Sequence, residues 1–383
     1  MKQTGRLADF FDTYTKDLKA EDLQRLFTRD TREAYEFFTR HVDWKELQSL
    51  PRGRRWMMKA RLLFFAFTMR LTPARRLVYG VALLFAALGF FELMRLRFAA
   101  TALGHTTMIL PGLVIPSGMG SILIAFVLLN LLVLLEVADR LSLKNDLEIA
   151  REIQQAMLPS GMYRSRGVET LGTSRPANTV GGDFYDIIPL EDGRVVIAVG
   201  DVSGKGSPAA LLMALLLAMM RTLVDEKLEP AELLARLNLQ VIRHAPGTRF
   251  ITLFYGVYQP MAGELVYVNA GHMPPLLMRA AGVFERLTDG GIALGMFAGS
   301  TYAAGRALLS RQDLLIVYSD GITEAENSAG QPFDEQGLQG AILKHKGPEL
   351  AAINAGVVRA VEIHTGDKRF ADDLTILLLR ATA

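Results

Sequence analysis

The sequence has 383 residues, with 42 Lys and Arg against 40 Asp and Glu, and half of its residues are hydrophobic. This length accommodates one or two domains with accessory segments. The absence of cysteine excludes cysteine-nucleophile phosphatases and disulfide bonds, and it favours a cytoplasmic catalytic domain. The first 76 residues carry 17 Lys and Arg and 10 Asp and Glu, so a basic N-terminal region precedes an acidic remainder.

Residues 1–75 are predicted to form a basic, helical, cytoplasmic arm. Apolar residues recur every three or four positions in residues 9–27 and 31–50, which indicates two amphipathic helices. Residues 61–70 are apolar but too short to span a bilayer, so we expect them to lie in the membrane interface. The arm contains no recognisable ligand chemistry, and a structural role is expected.

Two uncharged apolar stretches follow, at residues 77–91 and 106–135. A spanning helix needs roughly 20 apolar residues, so the first must extend toward Arg95 and Arg97, whose side chains would reach the interface. Prolines and glycines up to Gly118 indicate that the regular part of the second helix starts near Ser117. We therefore predict a two-span transmembrane hairpin over residues 76–136. A buried helical hairpin in a soluble core is the alternative.

The basic residues before the first span predict the orientation of the hairpin. Residues 52–76 contain eight Lys and Arg and no acidic residue, which places this flank in the cytoplasm. We therefore expect a multi-pass protein of the inner (cell) membrane, with its N- and C-terminal regions cytoplasmic and membrane lipid as a partner of the basic stretch. Nucleic acid is the alternative ligand of this stretch, but membrane lipid is the simpler account, and no nucleic-acid partner is expected.

Residues 137–160 are predicted to be a linker helix without glycine or proline before Pro159. Apolar residues recur along it at three- to six-residue intervals: Val137, Leu141, Leu147, Ala150, Ile153 and Met157. A short parallel coiled coil between two protomers is one interpretation, and a helix packed on its own domain is the other. We expect a homodimer through this helix.

Residues 161–383 mix strands and helices without regular alternation. The pattern predicts strands at 194–201, 251–259, 264–269, 314–319 and 374–379, and helices at 207–223, 230–244 and 349–364. Strands with helices grouped between them indicate an α+β domain.

Four short acidic segments in this region each place a carboxylate at the end of an apolar stretch. They are GGDFYD (181–186), GDVSGKG (200–206), YSDGITEAE (318–326) and ADDLTIL (371–377). Each by itself is consistent with a turn. Together, converging carboxylates without cysteine select a hard cation such as Mg²⁺ or Mn²⁺. The four segments therefore predict a metal enzyme that acts on phosphate.

In this order the four segments resemble the metal-dependent phosphatases of the protein phosphatase 2C (PP2C) superfamily, in the SpoIIE/RsbU-like branch. The likeness covers about residues 147–380 and includes IAREIQQAMLP (149–159) and VNAGHMPP (268–275). It implies an αββα sandwich, with two central β-sheets flanked by helices and the metals at one sheet edge. In this chain we expect an all-α membrane region before that sandwich.

The resemblance also implies roles for individual residues. Two Mn²⁺ or Mg²⁺ ions would be held by Asp183, Asp201, the carbonyl of Val202, Asp320 and Asp372. Support is implied for Asp186, Glu324 and Asp373. The substrate phosphate has weaker candidates in Arg175, Asn178 and His272. Asn178 stands where relatives often have Arg, and His272 is either structural or an acid. No side chain is assigned as catalytic, because the resemblance implies attack by metal-activated water.

These features predict a membrane-anchored serine/threonine phosphoprotein phosphatase of bacterial signal transduction. By resemblance, its substrate would be a phosphorylated anti-anti-sigma-type regulator, so that it takes part in sigma factor regulation. A scaffold that binds phosphoprotein without turnover is the main alternative. A nucleotide cyclase is disfavoured, because the GGDFYD string departs from the GGDEF signature of that family after Asp183.

Overall fold

The computed structural model describes residues 71–102, 117–245, 249–347, 349–366 and 370–382, together with Arg54 and Thr68. The predicted helices at 9–27 and 31–50 lie outside the described residues, as does the interfacial stretch 61–70 apart from Thr68. The chain divides into two compact units, Met1–Leu141 and Ser142–Ala383.

The first unit contains α1 (Pro73–Ala102) and most of α2 (Ser117–Met157). The predicted start of the second helix near Ser117 is confirmed, and α1 extends past Arg97 as its short apolar stretch requires. Large apolar side chains such as Phe91 in α1 and Phe126 in α2 are exposed. Arg75 at the start of α1 forms an ion pair of 2.7 Å with Asp139 of α2.

By length and composition, three stretches of the described helices suffice to cross a membrane: Pro73–Met94, Met119–Met157 and Ser207–Asp225. The first two correspond to the predicted hairpin. The third belongs to the second unit, where its residues Leu212, Leu216 and Met220 are buried in a hydrophobic core. Packing against a sheet thus accounts for the apolar composition of the third stretch.

The second unit continues from the end of α2 with twelve strands and five helices among its described residues. In chain order they are β1 (Met162–Ser165), β2 (Val168–Arg175), β3 (Phe184–Pro189), β4 (Val195–Val202), α3 (Ser207–Asp225), α4 (Pro230–His244), β5 (Ile251–Gln259), β6 (Glu264–Ala270), β7 (Leu276–Met278), β8 (Phe284–Arg286), β9 (Gly290–Gly291), β10 (Gly305–Leu308), β11 (Leu314–Tyr318), α5 (Asp320–Thr323), α6 (Asp334–Lys344), α7 (Leu350–Thr365) and β12 (Leu374–Ala381).

These strands form two six-stranded sheets. The first has the order β1-β2-β12-β11-β7-β8, and the second has the order β10-β6-β5-β4-β3 with β9 parallel to β6. Alternate residues of β4 face opposite layers, as expected for a pleated strand. Ile197 packs between the sheets, whereas Val196 and Ala198 pack with α3 and α4. On the outer face of the first sheet, Ile316 and Leu378 pack with α6 and α7.

The resulting layers are helices, sheet, sheet and helices, which confirms the expected αββα sandwich. The predicted bounds of α4 and β5 agree with the structure. One or both ends differ from prediction, by one or two residues, in six further elements: β4, β6, β11, β12, α3 and α7. Strands β1, β2, β3, β7, β8, β9 and β10 were not predicted individually. Helix α6 was also missed, because Gly337 and Gly340 weaken its helical pattern.

Candidate metal centre

The first sheet brings two of the acidic segments together. Asp320 follows the end of β11, and Asp372 precedes the start of β12. Because β11 and β12 are antiparallel neighbours, these two strand ends lie side by side. Burial raises the pKa of Asp320 above its ordinary value, and the charge of Asp372 raises it further, followed by that of Glu324. Glu324 itself is exposed.

The second sheet positions the other two segments. Asp201 and Val202 end β4, and Asp183 directly precedes its antiparallel neighbour β3. A Cβ atom on Gly182 would lie 2.8 Å from the carbonyl oxygen of Val202 and 3.1 Å from Oδ1 of Asp201. Glycine is therefore needed here because the loop passes directly over both oxygens.

The carboxylate of Asp183 is buried with incomplete hydrogen bonding. Its side chain is 4% exposed, and its Oδ2 atom has no hydrogen-bond partner among the described residues. Burial raises the pKa of Asp183 well above its ordinary value, and the charge of Asp201 adds to this shift. A buried carboxylate requires a proton, a counter-charge or a metal ion. The arrangement is therefore costly without a cation.

Asp201 experiences the same electrostatic environment. Burial raises its pKa to about 6, with further contributions from the charges of Asp320, Asp372 and Asp373. Since Asp201 belongs to the second sheet and the other three belong to strand ends of the first, carboxylates from both sheets act on one another. Mutual repulsion of this kind favours a bound cation.

Asp373 holds the loop that carries Asp183. Its side chain is 6% exposed. Oδ2 accepts a hydrogen bond from the backbone N–H of Gly182 at 2.7 Å, and Oδ1 accepts one from the N–H of Ala177 at 2.8 Å. These backbone donors satisfy Asp373, so its geometry is that of a supporting residue.

Asp186 has a different environment from the other carboxylates of the site. Its side chain is buried, and its Oδ2 accepts a hydrogen bond of 2.7 Å from the guanidinium of Arg221 in α3. Arg221 also donates to the carbonyl of Met157, the last residue of α2. This ion pair joins α2, β3 and α3.

Among the described residues, Arg175, Asn178 and His272 lie near strand ends of the site, and no hydrogen bond or ion pair joins their side chains to its carboxylates. Arg175 is half-exposed and forms an ion pair of 2.6 Å with Glu362 of α7, and Asn178 is exposed. His272 is buried, and its Nδ1 lies 3.0 Å from Oγ1 of Thr252 in β5. Burial lowers the pKa of His272 to about 4, so its imidazole is neutral at physiological pH. Its Nε2 is buried and has no hydrogen-bond partner among the described residues.

Lys205 is a site residue that the sequence did not single out. Its ammonium lies 2.9 Å from Oδ2 of Asp372 and donates to the carbonyl of Ala371 at 2.7 Å. The hydrogen bond with Asp372 raises the pKa of Lys205. The signal that could have identified it is its place in the GDVSGKG loop, four residues after Asp201.

Among the described residues, no group of three or more His, Cys, Asp or Glu side chains already encloses an ion position. The chemistry of the residues nevertheless fits a hard divalent cation, because their donors are carboxylate and carbonyl oxygens. The unpartnered Oδ2 of Asp183 supports the same conclusion, as does Gly182, which leaves out a Cβ that would lie against the Val202 carbonyl and Asp201.

Comparison with known proteins agrees with this fold. Residues 191–382, which contain three of the four acidic segments, match the family described as Stage II sporulation protein E (SpoIIE). The chain is 28% identical over 239 residues to the phosphoserine phosphatase RsbU of Bacillus subtilis (strain 168), covering 62% of this chain and 70% of RsbU. It is 30% identical over 230 residues to Protein IcfG of Synechocystis sp., covering 53% of this chain and 36% of IcfG.

Among solved structures, the fold is similar to the SiaA-PP2C domain of Pseudomonas aeruginosa, with a TM-score of 0.57 and 21% sequence identity. The superposition covers 63% of this chain and 98% of that domain. At this identity the likeness supports the fold alone. With the sequence match over half of its length, the chain belongs to the SpoIIE family, and its second unit is a metal-dependent protein phosphatase domain of the PP2C type.

Proposed function

We propose that this protein is a membrane-anchored phosphatase that removes phosphate from serine or threonine of a phosphoprotein in bacterial signal transduction. The observation that carries the proposal is the buried carboxylate of Asp183 beside Asp201, whose Oδ2 has no hydrogen-bond partner among the described residues. Such a group is destabilising unless a proton or a cation neutralises it. A site retained for catalysis explains why the fold tolerates it.

The proposed metal ligands are the carboxylates and the carbonyl that the strand ends present: Asp183, Asp201, Val202, Asp320 and Asp372. Two Mn²⁺ or Mg²⁺ ions, when bound, would supply Lewis acidity to activate water and neutralise phosphoryl oxygens. The chain itself orients the ligands. Asp373 holds the Asp183 loop through backbone N–H groups, and Lys205 orients Asp372.

Lys205 is also proposed to bind substrate. Its ammonium is about half-exposed beside the carboxylates, so it can donate to a phosphoryl oxygen at the solvent side of the site. The side chain of Asp372 is likewise 45% exposed. An open site of this kind suits a phosphorylated side chain on a protein surface.

The substrate class is proposed from the relatives. RsbU is named a phosphoserine phosphatase, which supports a phosphoserine or phosphothreonine ester here. A phosphorylated anti-anti-sigma-type regulator is the proposed physiological substrate, on the strength of the sequence resemblance.

The membrane location and dimer are proposed from exposed apolar surfaces. Leu77, Phe91 and Leu134 are among the exposed apolar residues of α1 and α2, which suits contact with lipid. We place the protein in the inner membrane with both terminal regions cytoplasmic. Beyond the apolar stretch of α2, Leu141 and Ile153 are about 60% exposed, which supports a homodimer through this helix.

The test is phosphate release by the full chain purified in detergent. Its substrate is a serine-phosphorylated anti-anti-sigma-type protein, assayed with Mn²⁺, Mg²⁺ or EDTA. We expect release with a divalent ion, none with EDTA, and none from Asp183→Asn. Release that persists in EDTA, or a wild-type rate in Asp183→Asn, would exclude the proposed centre. Binding of the phosphoprotein without any release would favour the scaffold.

A further inference from the structure

The end of α2 contacts the loop of the metal centre through one buried side chain. Gln154 is 6% exposed, although Ile153 and Gln155 on either side of it are exposed. A buried amide must find hydrogen-bond partners, since an unpaired amide costs free energy. Gln154 finds both of its partners at a single residue, Gly181.

The side chain of Gln154 forms hydrogen bonds with both the N–H and the carbonyl of Gly181. Its Nε2 donates to the carbonyl of Gly181 at 2.8 Å, and its Oε1 accepts a hydrogen bond from the N–H of Gly181 at 3.2 Å. Only an amide side chain offers a donor and an acceptor in this arrangement, and Asn is one methylene shorter. The residue type and its length therefore match the contact.

The same loop is held from the opposite side by Asp373. Its Oδ2 accepts the N–H of Gly182 at 2.7 Å, and a Cβ on Gly181 would collide with that carboxylate. Gly181 is thus enclosed between Gln154 and Asp373. Asp183 follows two residues later, so the direction of its carboxylate depends on both contacts.

Two further bonds keep the end of α2 in register with β3. The hydroxyl of Tyr185 donates to the carbonyl of Pro159 at 2.7 Å. Arg221 joins the carbonyl of Met157 to Asp186. These contacts fix where Gln154 stands relative to the GGDFYD segment.

We infer that Gln154 is a positioning residue for the metal centre, which holds the Gly181 turn so that Asp183 faces the bound cation. This inference rests on the proposed metal site. It predicts that loss of the amide weakens metal binding, while the fold and the maximal rate are retained. Partners that orient metal ligands typically contribute 10- to 100-fold to metal affinity.

The test compares Gln154→Met with Gln155→Met in the full chain purified in detergent. Methionine keeps the length and fills the buried site without hydrogen bonds, and Gln155 offers the same change one residue away on the exposed surface. Binding of Mn²⁺ is measured from the spin-resonance signal of the free ion, without substrate. We expect Gln154→Met to raise the Kd for Mn²⁺ roughly tenfold, and Gln155→Met to match wild type.

The dependence of phosphate release on Mn²⁺ concentration provides the second readout. For Gln154→Met the half-saturating concentration should rise by the same factor, while the rate at saturating Mn²⁺ stays near that of wild type. A merely destabilising change would not produce this separation. An unchanged Kd in Gln154→Met, or an equal loss in Gln155→Met, overturns the inference.

Gln154→Glu keeps the test informative if the methionine variant does not fold. Glutamate still accepts the N–H of Gly181 but cannot donate to its carbonyl, so we expect an intermediate rise in Kd; a wild-type Kd would contradict the inference. The two proposals remain distinguishable. If wild type does not bind Mn²⁺, the proposed metal centre is wrong. If Asp183→Asn abolishes binding but Gln154→Met binds like wild type, the metal centre stands and only the role of Gln154 is wrong.

Discussion

The two ends of β11 carry aspartates in opposite circumstances. Before the strand, Asp313 is 2% exposed and fully paired. It accepts hydrogen bonds from the guanidinium of Arg279 at 2.8 Å and from the N–H groups of Ala280 and Ser310 at 2.9 and 3.0 Å. After the strand, Asp320 faces other carboxylates, and burial raises its pKa.

This difference separates a structural carboxylate from a functional one. Arg279 neutralises Asp313 and is itself held by Glu285 at 2.7 Å, so that end of the sandwich is electrostatically complete. At the other end Lys205 lies on the solvent side, and Asp183 has no partner for its Oδ2 among the described residues. Assembled carboxylates with too few counter-charges indicate an ion site, whereas a buried carboxylate with arginine does not.

The largest expected effect is on activity, at the end of the sandwich that carries the metal centre. Asp183→Asn should lower phosphate release by roughly 1,000-fold or more, which is about 4 kcal/mol of transition-state stabilisation. Without metal, the variant should be at least as stable as wild type, because the change removes a buried carboxylate that faces the carboxylate of Asp201. Steady-state kinetics with Mn²⁺ and urea unfolding in EDTA measure the two quantities. A large loss of stability would place Asp183 with Asp313 as a structural residue.

A substitution before β11, away from the metal centre, should have the opposite effect: it should lower stability and leave activity unchanged. Asp313→Asn should lower the free energy of unfolding by about 3 kcal/mol, because the buried amide loses the charge that pairs with Arg279 and its NH2 group cannot accept the N–H donors that the carboxylate accepts. The rate per folded molecule with saturating Mn²⁺ should match wild type. Urea unfolding and phosphate release on the same preparation check this. A selective loss of rate would contradict the division between the two ends.

The burial of His272, which contacts Thr252 beside Asp201, predicts how stability depends on pH. Its pKa of about 4 lies below the ordinary value of 6.5, mainly through burial. The neutral imidazole therefore contributes stability that is fully present above about pH 6.5 and is lost as pH falls toward 4. On the order of 3 kcal/mol should be lost over this window. In EDTA, the free energy of unfolding of wild type should fall by this amount relative to that of His272→Asn as the pH is lowered from 6.5 to 4. A constant difference would show that His272 titrates normally.

The smallest expected effect concerns Lys205. Its ion pair with Asp372 is about half-exposed, so Lys205→Met should change stability by less than about 1 kcal/mol. If the ammonium binds a phosphoryl oxygen, the KM for the phosphoprotein should rise several-fold while kcat changes little. Arg236→Met is the matched control, because Arg236 pairs with Glu226 and Glu232 on the surface. Equal effects of the two changes on KM would remove Lys205 from substrate binding.

Local patterns were sufficient for much of the fold. Continuous apolar runs identify β4 and β11, and helical periodicity identifies α4, whose bounds Pro230–His244 agree with the prediction. Strand β3 was missed because its residues were interpreted as a ligand motif, and β1 and β2 lack a strong apolar pattern. Short runs of this kind become strands only when neighbouring strands supply hydrogen bonds.

The sequence by itself determined which residues could carry the chemistry: acidic side chains after apolar strands, with glycines where the backbone must approach closely. Tertiary structure alone decided how each one is used. Asp373 meets Gly182 across 191 residues of sequence, and Lys205 meets Ala371 across 166. Such contacts depend on how strands from two sheets pack, and no local periodicity encodes them. For that reason the acidic segments were recognisable in the sequence, whereas the contacts of Gln154, Lys205 and Asp373 were not.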